Sequence, residues 1–329
     1  MSDAPTLVIY GDVLAEISAQ VADFPRPGAD AIVHDLAILP GGSAANCAVV
    51  AARLGTRVKF VGMAGDDDFG QMVRRALATD GVDLIALRQA DGPTATVIAL
   101  VDGSGERTFL SFRGVAASVP YGPLPDAILR PGDWLHVSGY SFQTPHSRQT
   151  ARVLMAAARE VGATISLDPS YHFARQVASE YPDALNGLGY LFPSAAEAAL
   201  MTGTQDPTQA AEQLRAKDIG TVLLKLGSQG CLIASEDGLT QVPAYPLERV
   251  VDTTGAGDAF AGGFAAATLR GCSLEDATRV GNAAAARVIT VIGGQTAAPT
   301  VSQLRAFAEM QDDARLLAAV GHLEEPVSR

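Results

Sequence analysis

Cysteine and positive charge are both scarce in this chain of 329 residues. The three cysteines, Cys47, Cys231 and Cys272, are odd in number and widely spaced, which argues against a disulfide framework and gives no metal-ligand spacing. We expect each of them to be a small buried apolar residue. The 24 lysines and arginines face 36 aspartates and glutamates and leave a net charge of −12. This balance disfavours binding to nucleic acid or to an anionic membrane.

Long apolar runs are also missing. None approaches the ~20 residues that a membrane-spanning helix needs, although 48% of the residues are hydrophobic and supply an ample core. The first residues lack a basic segment and lead directly into the apolar run 7–10, so we expect no signal peptide and a cytoplasmic location. The length suits one large α/β domain, or such a domain with a smaller appendage.

Two familiar phosphate-binding motifs do not occur. No glycine is followed by lysine, which excludes a Walker-type loop, and G-x-G-x-x-G fails because Phe260 stands where its last glycine is needed. A glycine-rich stretch, DTTGAGDAFAGG, nevertheless covers residues 252–263. It follows the short β-like segment 249–251 and leads into an alanine-rich helical run at 259–269. We therefore interpret it as a turn that feeds a helix N-terminus.

Such a turn can bind an anion. The unpaired N–H groups of a first helical turn and the positive end of the helix dipole attract negative charge. Gly255 and Gly257 would let the backbone approach the anion without an intervening Cβ atom. Asp258 would repel a phosphate that is merely bound, but it could accept a proton from a hydroxyl that attacks the phosphate. For these few residues alone, a glycine-rich helix cap is the competing interpretation.

The stretch 252–260 resembles, without a gap, the second signature of the PfkB (ribokinase-like) carbohydrate kinase family, D-T-T-G-A-G-D-x-F. The first signature of that family is matched earlier in the chain by GGSAANCA at 41–48, followed by AARLG at 51–55. The resemblance covers nearly the whole chain. It implies an α/β fold, the ribokinase-like three-layer sandwich with a mainly parallel central sheet and a small β-sheet lid.

The resemblance also divides the chain. We expect residues 1–12, 40–92 and 117–329 to form the α/β domain that binds nucleotide and substrate, and residues 13–39 and 93–116 to form the lid. Lid closure would exclude water, which competes as phosphoryl acceptor. In many members the lid pairs with a second subunit, so a homodimer through the lid is a further expectation.

The lid segments have β patterns of their own. Residues 32–38 alternate between apolar and polar, and two β-like runs flank a turn at 102–105. From residue 133 onward, strands and helices alternate regularly. This alternation predicts a parallel sheet with helices on both faces and ligands at the carboxyl ends of its strands.

Four residues are candidates for binding the acceptor. By resemblance, Asp12 at the end of the first strand would contact substrate hydroxyls, Gly41 and Gly42 would let the sugar approach the backbone, and the Asn46 amide would hydrogen-bond it. Two structural alternatives stay open. For Asp12 the alternative is a turn residue capped by its own side chain, and for Asn46 it is a hydrogen bond to local backbone.

On the nucleotide side, Lys225, Gly227 and Gly230 resemble the nucleotide loop of the family, and Asn282, in a helix that opens at Gly281, would lie by the adenine. A lysine in an apolar strand needs a partner, which could be a phosphate or a neighbouring carboxylate. At the end of another strand, Asp168 could equally serve a turn or contact substrate or metal.

Three residues are candidate metal contacts by resemblance. Glu197 matches a glutamate that acts through water on the magnesium-phosphate. Ser194, in the same motif, and Ser170, in another, each stand where the family often has asparagine. Asp252 and Thr254, with backbone carbonyls from 288–294, match a site where many members hold K⁺.

Together these observations predict an ATP- and Mg²⁺-dependent kinase that phosphorylates a hydroxymethyl group of a sugar or sugar-like substrate, with K⁺ as a further candidate ion. Asp258 would be the general base, and the N–H groups of Gly255, Ala256 and Gly257 would stabilise the transferring phosphoryl group. The predicted partners are therefore small molecules.

Two alternatives remain. One is an adenosine-type nucleoside kinase of the same family, for which the candidate base platforms are Phe24, Phe112, Tyr140 and Phe142. The other is a sugar- or nucleotide-binding sensor without turnover. The intact Asp258 argues against a sensor, because a binding protein has no use for a base at that point.

Overall fold

The structure is a computed structural model that describes residues 4–102, 107–180 and 182–324. Its strands are β1 (Leu7–Tyr10), β2 (Leu14–Val21), β3 (Val33–Gly41), β4 (Val58–Gly65), β5 (Leu87–Ala90), β6 (Thr96–Val101), β7 (Arg107–Phe112), β8 (Trp134–Ser138), β9 (Thr164–Asp168), β10 (Leu188–Leu191), β11 (Ile219–Lys225), β12 (Cys231–Ser235) and β13 (Gly238–Val242).

The α-helices alternate with these strands. They are α1 (Ser43–Arg53), α2 (Asp68–Thr79), α3 (Val115–Ser118), α4 (Pro145–Val161), α5 (Tyr171–Glu180), α6 (Ala195–Thr202), α7 (Pro207–Arg215), α8 (Ala256–Leu269), α9 (Leu274–Val288), α10 (Val301–Met310) and α11 (Ala314–Glu324).

The main sheet orders its described strands as β13-β12-β11-β10-β9-β8-β1-β4-β5. Neighbours from β11 to β5 are parallel, and β12 and β13 add an antiparallel edge. The chain leaves β1 toward β4 on one side and later returns to β8 on the other. The carboxyl end of β1 is therefore a topological switch point, where open α/β sheets bind ligands.

Helices cover both faces of this sheet and create two cores. Along β1, Leu7 and Ile9 point into the core that contains α1, α8 and α9, whereas Val8 and Tyr10 point into the core that contains α4 and α7. Successive side chains of a strand face opposite ways, so a strand covered on both faces must be apolar throughout. The apolar run 7–10 meets this requirement, and the layers confirm the predicted three-layer α/β architecture.

A smaller sheet has the order β3-β2-β6-β7. Strands β2 and β3 form an antiparallel hairpin, β2 pairs with β6 in parallel, and β6 pairs with β7 antiparallel. This sheet arises from the two segments in which the sequence predicts β structure. The turn predicted at 102–105 lies, from residue 103 on, outside the described residues.

Three local predictions near the glycine-rich loop are wrong. Residues 249–251 are irregular, and Val250 and Val251 are exposed because no strand lies beside so short a segment. Helix α8 begins at Ala256, not at residue 259, so Asp258 lies within its first turn. Residues 281–286 do not open a helix but continue α9, whose start is capped by the Ser273 side chain.

The cysteines behave largely as expected. Cys47 and Cys231 are buried, Cys272 is half-buried, and all three are free thiols. Burial raises the pKa of the Cys47 thiol well above its ordinary value, so it is unreactive at neutral pH. Within the described parts of the chain, no helix is both long and apolar enough to cross a membrane.

Candidate active site

Residues from six separate parts of the chain meet at the carboxyl edge of the main sheet. The ends of β9 and β11, the turn after β8 and the first turns of α1, α6 and α8 enclose a cleft, whose lining includes Ser43, Tyr140, Asp168, Ser170, Ser194, Glu197, Lys225, Gly227, Gly257 and Asp258. The arrangement brings the predicted base together with the candidate phosphate and metal contacts.

The glycine-rich loop is shaped as an anion site must be. Gly255 is the N-cap of α8 and has a left-handed backbone with φ 76°. A Cβ atom there would lie 2.7 Å from the Cα of Gly294, and one at Gly257 would lie 2.9 Å from the Lys225 Nζ. The Ala256 N–H donates a long 3.4 Å bond to the Thr253 carbonyl. An anion that accepts from the Ala256 N–H would therefore replace a weak hydrogen bond.

Asp258 is held by two side chains from the first turn of α1. Ser43 Oγ donates to Oδ1 at 2.8 Å, and Asn46 Nδ2 donates to Oδ2 at 2.9 Å. Burial raises the pKa of Asp258 to about 6, while these two donors and the Lys225 charge oppose the increase. A carboxylate with a pKa near the working pH suits a general base.

Asn46 thus contacts the base directly, a relationship that its expected sugar-binding role did not include. Its Nδ2 is committed to Asp258, but its Oδ1 is buried and has no partner among the described residues. A buried polar atom without a partner is costly. The oxygen therefore remains available to a bound hydroxyl donor. Ser43 was missed from the sequence, although its place inside the first signature was a usable signal.

Asp12 caps the start of α1. Its carboxylate accepts from the Ser43 N–H at 3.0 Å, from the Ala44 N–H at 3.5 Å and from Ser138 Oγ at 3.3 Å. Gly42 has φ 109°, and a Cβ atom there would lie 2.5 Å from the Asp12 carbonyl oxygen. Asp12 also lines a cavity next to the cleft. Asp12 therefore has a structural role at the start of α1 that differs from the turn role weighed from the sequence, and the substrate contact stays a prediction.

The two glycines of the first signature serve different neighbours. Gly42 lets the chain pass close to Asp12, whereas a Cβ atom at Gly41 would lie 3.3 Å from Leu14 Cδ1 and 3.5 Å from the buried Glu16 carboxylate. Both glycines therefore have a packing role in the junction between β3 and α1. Direct contact with a sugar is a second role that this packing permits.

Lys225 finds its partner in a carboxylate. Its Nζ lies 2.8 Å from both carboxylate oxygens of Asp168. Burial alone would lower the pKa of Lys225, but the charges of Asp168 and Glu197 raise it. Burial also raises the pKa of Asp168, and the ammonium opposes that increase. The two-pronged contact favours the charged form of each group and sets Asp168 in the cleft.

A larger and mostly apolar cleft of ≈ 1490 Å³, including its open mouth, adjoins Lys225. It brings together the four residues predicted for nucleotide binding, Lys225, Gly227, Gly230 and Asn282. The amide nitrogen of Asn282 is already hydrogen-bonded within the protein, because it donates to the carbonyls of Val242 and Pro243. Gly230 has φ 90°, and a Cβ atom there would collide with the Val242 carbonyl oxygen. Both residues thus shape this cleft.

Glu197 forms a capping box with Ser194. Its Oε2 accepts from the Ser194 N–H and from Ser194 Oγ, each at 2.8 Å, while Ser194 Oγ accepts from the Glu197 N–H at 3.3 Å. Serine at 194 therefore fixes Glu197 at the rim of the cleft. In the described residues, no group of three His, Cys, Asp or Glu side chains is placed to hold a metal ion.

Asp252 joins two loops behind the anion site. Its carboxylate accepts from the Thr254 N–H at 2.8 Å and from the Gly293 N–H at 2.9 Å. The Thr254 hydroxyl oxygen is buried without a partner in the described part of the chain. An oxygen of this kind suits a hard cation, which takes oxygen ligands.

Of the candidate base platforms, Phe142 is excluded. It is buried in the core and packs edge-on against Phe173 with ring centroids 4.9 Å apart. Phe24 and Phe112 are exposed outside the cleft. Tyr140 alone among the four lines the cleft, where burial and the nearby carboxylates raise its pKa to about 12. Its neutral ring remains available for stacking.

A helix N-terminus that faces a buried carboxylate, next to a large apolar cleft, is the arrangement expected of an enzyme that transfers phosphoryl groups. The chain belongs to the pfkB family of carbohydrate kinases, whose family model matches residues 4–301. This assignment confirms the predicted family and makes the protein an enzyme, a kinase with a sugar or nucleoside acceptor.

Individual relatives support the same conclusion. The chain is 30% identical over 312 residues to a ribokinase of Haemophilus influenzae, a match that covers 92% of this chain and 98% of that protein. The structure of Arabidopsis thaliana ribokinase complexed with ribose and ATP is 25% identical, with a TM-score of 0.80 and coverage of 98% of this chain and 100% of that one. Adenosine kinase from Sinorhizobium meliloti is also 25% identical, with a TM-score of 0.83 and coverage of 94% and 100%. The fold is ribokinase-like.

Proposed function

We propose that this protein transfers the γ-phosphoryl group of ATP to a hydroxymethyl group of a sugar or sugar-like acceptor, with Asp258 as the general base. The observation that carries the proposal is the position of Asp258. It lies in the first turn of α8 and is held there by hydrogen bonds from Ser43 and Asn46 of α1. The ribokinase relatives support ATP and a sugar as the two substrates.

The reaction follows from this arrangement. The acceptor hydroxyl gives its proton to the Asp258 carboxylate, and its oxygen bonds to the γ-phosphorus as the bond to the β-phosphate oxygen breaks and ADP leaves. Each Asp258 oxygen accepts one hydrogen bond and keeps a lone pair for that proton. The N–H groups at residues 255–257 and the α8 dipole stabilise the negative charge of the transferring group.

The acceptor lies between Asp258 and Asp12 in this proposal. Asp12 and the unpaired Oδ1 of Asn46 are hydrogen-bond acceptors for sugar hydroxyls, and Gly42 allows close approach to the backbone. The nucleotide occupies the neighbouring apolar cleft, with its phosphates toward Lys225 and the start of α8. Gly227 and Gly230 shape the loop beside it.

Two ions fit the residues present. Mg²⁺ keeps several waters and needs only one or two carboxylates beside the phosphates, and Glu197 and Asp168 are the carboxylates that could serve it. Bound there, it would neutralise phosphate charge. K⁺ fits the unpaired oxygen of Thr254, next to the Asp252 carboxylate that ties the anion loop to Gly293. There it would order the anion loop.

The test is ADP release from ATP and Mg²⁺, with and without K⁺, across pentoses, hexoses, sugar acids and nucleosides. We expect one acceptor class to give turnover that Asp258→Asn lowers by about 10²–10⁴-fold. Turnover close to that of the wild-type protein in this variant would refute Asp258 as the base. Acceptor binding without ADP release in the wild-type protein would favour a non-catalytic sensor.

A nucleoside kinase is the second candidate, supported by the likeness to adenosine kinase and by Tyr140 at the cleft. A base stacked on that ring would gain about 1–3 kcal/mol. Tyr140→Leu should then weaken the binding of nucleosides and leave the binding of simple sugars nearly unchanged. Equal effects on both acceptor classes would count against this candidate.

We also propose that the small sheet, residues 13–39 and 93–116, is a lid and that it pairs with a second copy of the chain. Its strands β3 and β7 expose large apolar side chains, among them Leu36, Ile38, Phe109 and Leu110. Apolar patches of this kind mark interaction surfaces. Sedimentation should show a dimer that Leu36→Asp combined with Leu110→Asp converts to a monomer. A wild-type monomer at high concentration would contradict it.

A further inference from the structure

A second cavity lies beyond Asp12, on the side away from the nucleotide cleft. It opens to solvent, and its mostly apolar lining also includes Asp12, Arg113, Tyr140, Gln143 and His146. Tyr140 also lines the catalytic cleft, so the two spaces share a wall. An acceptor whose hydroxymethyl group lies at Asp258 would direct its other end toward this cavity.

Arg113 is the residue of this cavity that a neutral sugar does not explain. It follows the last residue of β7 and precedes Gly114, the N-cap of α3. Gly114 has φ 52°, a Cβ atom there would collide with the Pro93 carbonyl oxygen, and the Val115 N–H donates to that same oxygen at 3.0 Å. The backbone beside Arg113 is therefore held in place.

The guanidinium is positioned but has no counter-charge. Its Cζ lies 5.1 Å from the centroid of the Tyr140 ring, a cation–π contact that orients the planar group. Within the described residues, no carboxylate oxygen lies within 4.0 Å of it. Some other half-buried arginines do have such partners, as Arg53 has Asp80 and Arg279 has Asp313, whereas Arg74 donates to the Leu87 carbonyl.

The carboxylates nearest the acceptor are already engaged. Asp12 accepts two hydrogen bonds at the start of α1 and a third from Ser138, and Asp258 is held by Ser43 and Asn46. A half-buried cation in a protein with a net charge of −12 would be expected to find an internal partner. Arg113 instead faces the space where the remote end of the acceptor lies.

We propose that Arg113 binds an anionic group of the acceptor, so that the preferred substrate is an acidic sugar. This inference rests on the proposed kinase function and adds the substrate class. A guanidinium matches a carboxylate or a phosphate with two parallel hydrogen bonds, and either group fits the chemistry of the site. The anion lies at the end of the acceptor remote from the hydroxymethyl group that is phosphorylated.

Matched acceptors test the proposal. Each set contains an aldose, its aldonate and its 1-phosphate, which share the same terminal hydroxymethyl group, and the sets cover pentoses and hexoses. We expect an aldonate or a 1-phosphate to have the highest kcat/KM, and the better of the two identifies the anion. Arg113→Gln should raise the KM for that acceptor about 10–100-fold, because a charge-assisted hydrogen-bonded pair is lost. The KM of the neutral aldose should change by less than about twofold.

Arg88→Gln is the matched control. Arg88 also stacks on a tyrosine, Tyr121, but it donates to the Pro123 carbonyl and does not line the cavity. This variant should leave the preference between acidic and neutral acceptors unchanged. Arg113→Lys should restore part of the affinity for the acid, since it keeps the charge and loses the planar fork.

Calorimetry of the same acceptors with the Asp258→Asn variant tests this proposal separately from the proposed reaction. It measures acceptor binding, which needs no turnover. An acid could bind in an Arg113-dependent way while the wild-type protein shows no turnover. This result would support an acidic ligand and contradict the kinase mechanism. Turnover with a neutral aldose as the best acceptor would do the reverse. The proposal is also overturned if every acid binds the Asp258→Asn variant no more tightly than it binds the variant with Asp258→Asn and Arg113→Gln combined.

Discussion

The ammonium group of Lys225 lies 2.8 Å from both carboxylate oxygens of Asp168 and joins the ends of strands β11 and β9 at the floor of the catalytic cleft. The same ammonium lies close to Gly257, where a Cβ atom would be 2.9 Å away. A phosphate bound at the start of α8 would therefore meet a cation that is already in place. The pair is a structural tie, and in the proposed function its ammonium is also a phosphate contact.

Removal of one charge of this pair should destabilise the fold. Asp168→Asn leaves a buried ammonium without its counter-charge, and we expect a loss of about 3–5 kcal/mol in the free energy of unfolding. Asp168→Asn combined with Lys225→Met removes both charges and should recover much of that loss. Urea unfolding of the two variants and the wild-type protein measures the difference. Equal stability of the single variant and the wild-type protein would contradict the role of the pair.

Replacement of the base should remove turnover without loss of nucleotide binding. Asp258→Asn keeps the shape of the side chain but cannot take the proton, so kcat should fall about 10²–10⁴-fold. The Kd for ATP should change little, since Asp258 faces the acceptor. Single-turnover kinetics and ATP titration measure the two quantities. Asp237→Asn, at an exposed turn, is the control and should leave both unchanged.

The activity should depend on pH through Asp258. Its pKa is raised to about 6, chiefly by burial, so kcat/KM should fall as the pH decreases through that value and the carboxylate becomes protonated. Ser43 and Asn46 donate hydrogen bonds that favour the charged form. Ser43→Ala should therefore raise the pKa and move the acidic limb of the pH profile to higher pH, by up to about one unit. An unchanged pH profile would show that Ser43 does not act on this carboxylate, and a shift to lower pH would contradict the direction of its effect.

Gly42 should be the most sensitive glycine of the first signature. Gly42→Ala forces a side chain into a backbone with φ 109° and places a Cβ atom 2.5 Å from the Asp12 carbonyl oxygen. The strained backbone alone costs about 1–3 kcal/mol, and the collision adds to it. Gly81→Ala is the matched control, because Gly81 has φ 77° but open space around it. Thermal unfolding should show a clearly larger loss for Gly42→Ala, and equal losses would mean that the close approach is unimportant.

Much of the fold could be predicted from local patterns. The apolar run 7–10 indicated a strand covered on both faces, and the alternation of strands and helices after residue 133 indicated a parallel sheet. The errors occur where local signals are weak. Residues 249–251 are apolar enough for a strand but have no partner strand, and α8 begins earlier than its alanine-rich pattern suggested, because Gly255 caps it in a left-handed backbone.

The sequence by itself determined the family and the chemical identity of the site. Two separated signatures contained Asp258, Asn46 and the loop glycines, and the roles expected of these residues follow from their chemistry together with the resemblance to the family. The tertiary structure decided which of them act on one another. The Ser43–Asp258 bond joins residues 215 positions apart, the Lys225–Asp168 pair joins two strands, and Arg113 reaches Tyr140 from another sheet. Hydrogen bonds and charges act over a few ångströms in space, so contacts between distant segments exist only after the sheet has set the carboxyl ends of its strands side by side.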